Sequence, residues 1–85
     1  MIEIVRLYRI ENDSSLKAFA DVIIGQLHIK GIRVIEGKNG LFAGMPKSKG
    51  KDGKWYETVK LLDDELKQEL QDRILEAYRE EVMNP

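Results

Sequence analysis

Residues 27–46, LHIKGIRVIEGKNGLFAGMP, constrain the fold of this chain more than any other stretch. Two apolar runs, Ile29 to Ile35 and Leu41 to Met45, flank Gly37-Lys38-Asn39-Gly40. Asn-Gly tolerates the positive φ of tight hairpin turns, because Gly has no Cβ and Asn can bond its own backbone. The spacing predicts a β-hairpin with strands Leu27 to Glu36 and Leu41 to Met45, ended sharply by Pro46. Gly31 interrupts the first strand, and an interior Gly marks a bulge or a close backbone approach.

The flanking segments extend this sheet. Ile2 to Glu11 is rich in Ile, Val, Leu and Tyr, with apolar residues on both parities: Ile4, Tyr8 and Ile10, then Val5 and Leu7. That pattern predicts a strand covered on both faces. Asn12-Asp13-Ser14-Ser15 is a turn cluster. Leu16, Ala18, Ala20, Val22 and Ile24 line one face of a second strand, while Lys17 and Asp21 mark the other, with Phe19 and Ile23 among them. Gly25-Gln26 links it to the hairpin. Residues 46–54, PKSKGKDGK, cannot build a core and read as a flexible basic loop. Trp55 to Lys60 alternates and reads as a short fifth strand.

From Asp63 the period becomes helical. Leu66, Leu70, Ile74, Ala77 and Tyr78 step by three or four and share a face. Asp63 or Asp64 caps the start, and early acidic residues suit the positive end of the helix dipole. Glu65 and Glu69 repel at i,i+4, whereas Glu69 and Arg73 attract. Asn84-Pro85 stops the helix. Sheet then helix is an α+β order: a small antiparallel sheet of about five strands over residues 1–60, with basic loop 46–54, then a C-terminal helix over 63–82. No internal repeat or second domain is visible, so residues 1–85 are expected to form a single domain.

So short a chain buries a modest core, and without cysteine it has no disulfide framework and no thiolate metal site. Oligomerisation is the expected supplement. No apolar run approaches the roughly 20 residues of a membrane-spanning helix. MIEIVRLYRI lacks a cleavable-leader pattern, so a soluble cytoplasmic protein is expected.

A net charge of −1 hides an asymmetry. Residues 1–62 hold eleven Lys/Arg and seven Asp/Glu, and residues 63–85 hold three and eight, so a +4 front precedes a −5 tail. Nucleic-acid binders with a self-screening end show this pattern, and so does an ordinary sheet beside a solvated acidic helix.

Catalytic groups are not evident. His28 is the single histidine, which with no cysteine argues against zinc, and it reads as a surface or half-buried structural residue. Turn chemistry accounts for Asp13, Ser14 and Ser15 without a triad through His28. Gly44 to Asp52 superficially resembles a phosphate loop, but five residues separate Gly44 from Gly50, Asp52 replaces the magnesium-holding Ser/Thr, and no helix follows. No catalytic residue, metal or cofactor is therefore expected.

The lysines carry more. Lys47, Lys49, Lys51 and Lys54 lie within eight residues, with Trp55 and Tyr56 directly after. Lysines contact phosphate and release counterions, which gives affinity without sequence information. Neighbouring aromatics can stack on unpaired bases. Arg33, Lys30 and Lys38 extend the patch if the hairpin lies beside the loop.

The chain also resembles a known family. Arg33-Val34-Ile35-Glu36-Gly37, then Gly40-Leu41-Phe42 and Met45-Pro46, are similar to the signature of the stage V sporulation protein G (SpoVG) family. Asp52-Gly53 and Gln68-Glu69 followed by Gln71-Asp72 continue it, so the likeness spans about residues 4 to 82. The resemblance implies a homodimer of sheet-plus-helix subunits, bacterial and cytoplasmic. It implies a regulator that binds DNA, and also RNA, and affects septum formation and sporulation. The family's basic segment corresponds to Lys47, Lys49 and Lys51, and the helix implicated in specificity corresponds to Lys67, Gln71 and Arg73. Family members often carry arginine in the loop. Lysine here suits phosphate contact better than bidentate base readout. The rival reading is a septation factor working through protein partners docked on the acidic helix, near Glu76 and Glu80.

Overall fold

The computed structural model of the protein describes residues 2–10 and 14–83. Six strands and one helix follow in order: β1 (Ile2–Arg9), β2 (Leu16–Ile24), β3 (Leu27–Gly37), β4 (Gly40–Gly44), β5 (Lys47–Lys49), β6 (Trp55–Glu57) and α1 (Asp64–Met83). The first four make one antiparallel sheet in the order β1-β2-β3-β4, and β5 and β6 pair separately. The architecture is α+β, as the period change at Asp63 implies. Glu11, the Asn12-Asp13 half of the first turn and the Asn84-Pro85 helix stop lie outside the described residues.

Two bulges explain the hydrophobic pattern of the sheet. In β1 the register with β2 shifts between Ile4 and Arg6, leaving Val5 unmatched. Ile2 and Ile4 face the core before the shift, and Leu7, opposite Ala20, faces it after. Apolar residues on both parities therefore reflect a change of phase in a one-sided strand. The expectation of a strand covered on both faces fails for the chain by itself: β1 is an edge strand, with Val5 42% and Tyr8 41% exposed.

Gly31 does the same in β3. Ile29 is buried before it, and Ile32 and Val34 after it. The β2–β3 register shifts here, and Gly31 takes φ +82°, a conformation that penalises any side chain. Its N–H, freed from the ladder, donates to the Asp21 carboxylate at 3.0 Å. The β3–β4 turn differs from the expected form. No described non-glycine residue has positive φ, so Asn39 does not, and Gly40 alone takes φ +115°. The register pairs Gly37 with Gly40, so Lys38-Asn39 make a two-residue connection and the positive φ falls on the glycine that follows it.

The core lies between one sheet face and α1. Ala18, Ala20 and Val22 of β2 meet Ile29, Ile32 and Val34 of β3 with Leu70, Ile74 and Leu75 of the helix. Burying a side chain such as Ile74, fully excluded from solvent, is worth about 1.5–3 kcal/mol. Leu75 belongs to this face although the three-four stepping passes over it. Asp63 is the cap: its side chain accepts from the Glu65 N–H at 3.0 Å and its carbonyl from the Lys67 N–H at 3.0 Å. No described helix is long and apolar enough to cross a membrane.

Residues 46–54, expected as a flexible loop, belong instead to a hairpin arm. Lys47, Ser48 and Lys49 pair with Glu57, Tyr56 and Trp55. The strand expected at Trp55 to Lys60 is thus shorter, and it pairs with the basic segment outside the main sheet. The Thr58 N–H and hydroxyl both donate to the Pro46 carbonyl, at 2.9 and 3.2 Å, and close the base of the arm.

Candidate nucleic-acid interface

The arm carries its own internal order. At its tip the Gly50 N–H donates to the Lys54 carbonyl at 2.8 Å, and the Gly53 N–H to the Gly50 carbonyl at 3.1 Å. Gly53 takes φ +83°, which glycine tolerates. The Tyr56 hydroxyl donates to the Asp52 carboxylate, whose other oxygen accepts from the Lys54 N–H at 3.0 Å. Those two donors, Tyr56 foremost, hold the Asp52 carboxyl below its ordinary value, and the bond to that carboxylate pushes the Tyr56 phenol up. Asp52 therefore holds the turn as an ionised carboxylate, one negative charge among the four lysines. Lys47, Lys49, Lys51 and Lys54 are all exposed.

Two clefts adjoin the base of the arm. The first, of about 530 Å³, lies between the β4 edge and the start of α1. Arg33, Lys47, Lys67 and Gln71 line it, facing Glu57 and Asp64. Gln71 is committed structurally, since its side-chain oxygen accepts from the Ala43 N–H at 3.3 Å and ties the helix to the β4 backbone. The second cleft, of about 570 Å³, opens on the other side of the sheet. Lys30, Arg33 and Lys47 supply its charge, and Phe19, Pro46 and Trp55 its apolar walls. No carboxylate lines it.

Arg33 and Lys47 thus border both clefts. Arg33 makes no ion pair among the described residues, and its Nε is buried without a hydrogen-bond partner. An unopposed guanidinium beside lysines is suited to a phosphate-like anion.

Of the residues singled out from sequence, Arg33, Lys47, Lys67 and Gln71 come together. Lys49, Lys51 and Lys54 stand further along the arm. Arg73 does not join them: it lies on an exposed flank of α1, 4.0 Å from Glu69, in an ion pair of little energetic weight. Lys38, at the β3–β4 turn, borders neither cleft. Lys30 does. Phe19 and Gly44 belong to the site without a signal of their own in the sequence, because only strand register brings them to Arg33.

A sequence profile of the SpoVG family matches residues 1–80. A protein of Macrococcus caseolyticus named "Putative septation protein SpoVG" is 34% identical over 83 residues, 95% of this chain and 72% of the relative. One from Archaeoglobus fulgidus with the same name is 33% identical over 78 residues, 91% of this chain and 92% of the relative. A third, from Staphylococcus saprophyticus, is 34% identical over 77 residues, 89% and 76% of the two chains.

Proposed function

The chain belongs to the SpoVG family, and from that premise we propose that it is a non-enzymatic, homodimeric nucleic-acid-binding regulator linked to septation and sporulation. DNA is its first ligand and RNA a second, bound in the cytoplasm. The link to septation rests on the names its relatives carry.

One observation carries the binding reading: Arg33 and Lys47 are shared by two clefts at the foot of an arm that exposes three more lysines. Phosphates of one backbone could meet arm and clefts without any base being read, which is sequence-independent affinity. A two-fold axis would bring two arms to one duplex and raise the effective concentration of the second contact.

The test is a titration against duplex DNA, single-stranded DNA and RNA at two salt concentrations, with mass measured by sedimentation. Expected are a dimer and an affinity that falls steeply with salt. A monomer that ignores every oligonucleotide in dilute buffer would overturn the proposal. The functional account would then pass to protein partners docking on the exposed acids of α1.

A further inference from the structure

The face of the sheet turned away from α1 mixes aromatic and charged side chains, and the arm borders one end of it. Strand register sets Tyr8 opposite Phe19, Phe19 opposite Arg33, and Arg33 opposite Gly44, one row across all four strands. The Arg6 guanidinium stands 4.3 Å over the Tyr8 ring at one end. Trp55 comes in from the arm near the other end and stays 62% exposed while lining the acid-free cleft. The carboxylate of Asp21, on the same face of β2 as Phe19, is engaged by the Gly31 N–H.

An exposed Trp55 on the arm, a half-buried Phe19 on the sheet and the cations Lys30, Arg33 and Lys47 around one acid-free cleft suit a ligand with flat apolar rings and a negative backbone. In a duplex the base faces are already stacked on one another. In a single strand they are free to lie on side-chain rings. We infer that this open face takes unpaired nucleobases, one base ring against Trp55 and the adjoining phosphate on Arg33 and Lys47. The inference rests on the nucleic-acid reading above and names the form of ligand that this face prefers. DNA and RNA single strands share the required chemistry.

Trp55 is the single tryptophan of the chain, so fluorescence excited at the red edge, where the three tyrosines do not absorb, reports on this cleft alone. The intact protein is titrated at low salt with four probes of about a dozen nucleotides: single-stranded DNA, the matching RNA, an abasic DNA strand and a duplex. Quenching by the first two, but not by the abasic strand or the duplex, is expected; the DNA and RNA arms rank the sources. Trp55→Ala should weaken single-strand binding about tenfold more than duplex binding, and Trp55→Phe should restore most of the loss.

Equal quenching by the abasic strand would reduce the site to phosphate contact and overturn the inference. So would a Trp55 already shielded in the free dimer and silent to all probes, which would place a second copy of the chain on this face. Duplex binding that needs the arm lysines, with Trp55 silent, removes this inference and leaves the proposed function standing. Absence of any binding removes both.

Discussion

The guanidinium of Arg33 lies against Gly44, with one terminal nitrogen 3.1 Å from the position a β-carbon would take there. Gly44 does not adopt positive φ, so its backbone would accept alanine. The methyl group would push aside the flexible end of Arg33 rather than the strand.

Gly44→Ala is therefore expected to leave stability unchanged or raise it by up to about 1 kcal/mol, because Gly is entropically unfavourable in a strand. Oligonucleotide affinity should fall all the same. Denaturant unfolding and a titration of the same preparation check the pair of outcomes. Loss of stability with unchanged affinity would mean that Gly44 serves packing alone.

Lys47, Lys49 and Lys51 are exposed on the arm, so replacing all three by alanine should alter folding stability by no more than about 0.5 kcal/mol per site. The slope of log affinity against log salt should drop by roughly 0.9 for each lysine that had met a duplex phosphate. An unchanged slope in the triple variant removes the arm from the binding account.

Asp63→Ala should destabilise the protein by about 1 kcal/mol, since Asp63 supplies the helix cap. For a chain of this size that corresponds to a Tm lower by about 4–8 °C. Asp64→Ala should have a smaller effect, because Asp64 contributes charge in the first turn without capping. Calorimetry of the two variants side by side decides whether the cap is correctly placed.

The order of the arm tip should depend on pH at both extremes. Asp52 titrates below its ordinary 3.8 when folded, so its contribution is present above that value and is lost as pH falls through the depressed one. Tyr56 titrates above its ordinary 10.0, so its contribution is present below that value and is lost as pH rises through the elevated one. The Lys54 amide resonance, reporting its bond to Asp52, should hold steady between these limits and move outside them. Asp52→Asn should abolish the acid-side movement; its persistence would assign that limb to another group.

Much of the architecture was legible in the residues. Gly37-Lys38-Asn39-Gly40 between apolar runs named the hairpin, Gly31 named the bulge, and the stepping of Leu66, Leu70 and Ile74 named the buried face of the helix. Each is a local rule: a backbone conformation only glycine tolerates, or a period that aligns side chains. The misreadings have physical causes. Val5 sits in a bulge, and a one-residue change of phase is indistinguishable from two-sided burial when only parity is read. Lys47-Ser48-Lys49 has no apolar alternation, because its pairing with Trp55-Tyr56-Glu57 is held by backbone bonds and a glycine tip.

The sequence by itself determined the order of the first four strands and the helix, the core side of β2 and of the helix, and the arm lysines that stay in solvent. The tertiary structure alone decided that Arg33 stands between Phe19 and Gly44, that Lys67 and Lys47 border one cleft, and that Arg73 is turned away. Residues that meet in that cleft are as many as 38 positions apart along the chain, as Arg33 and Gln71 are. Spacing governs what shares a face within one element. Which faces meet is set by register across strands and by where the helix comes to rest, and no local periodicity encodes either.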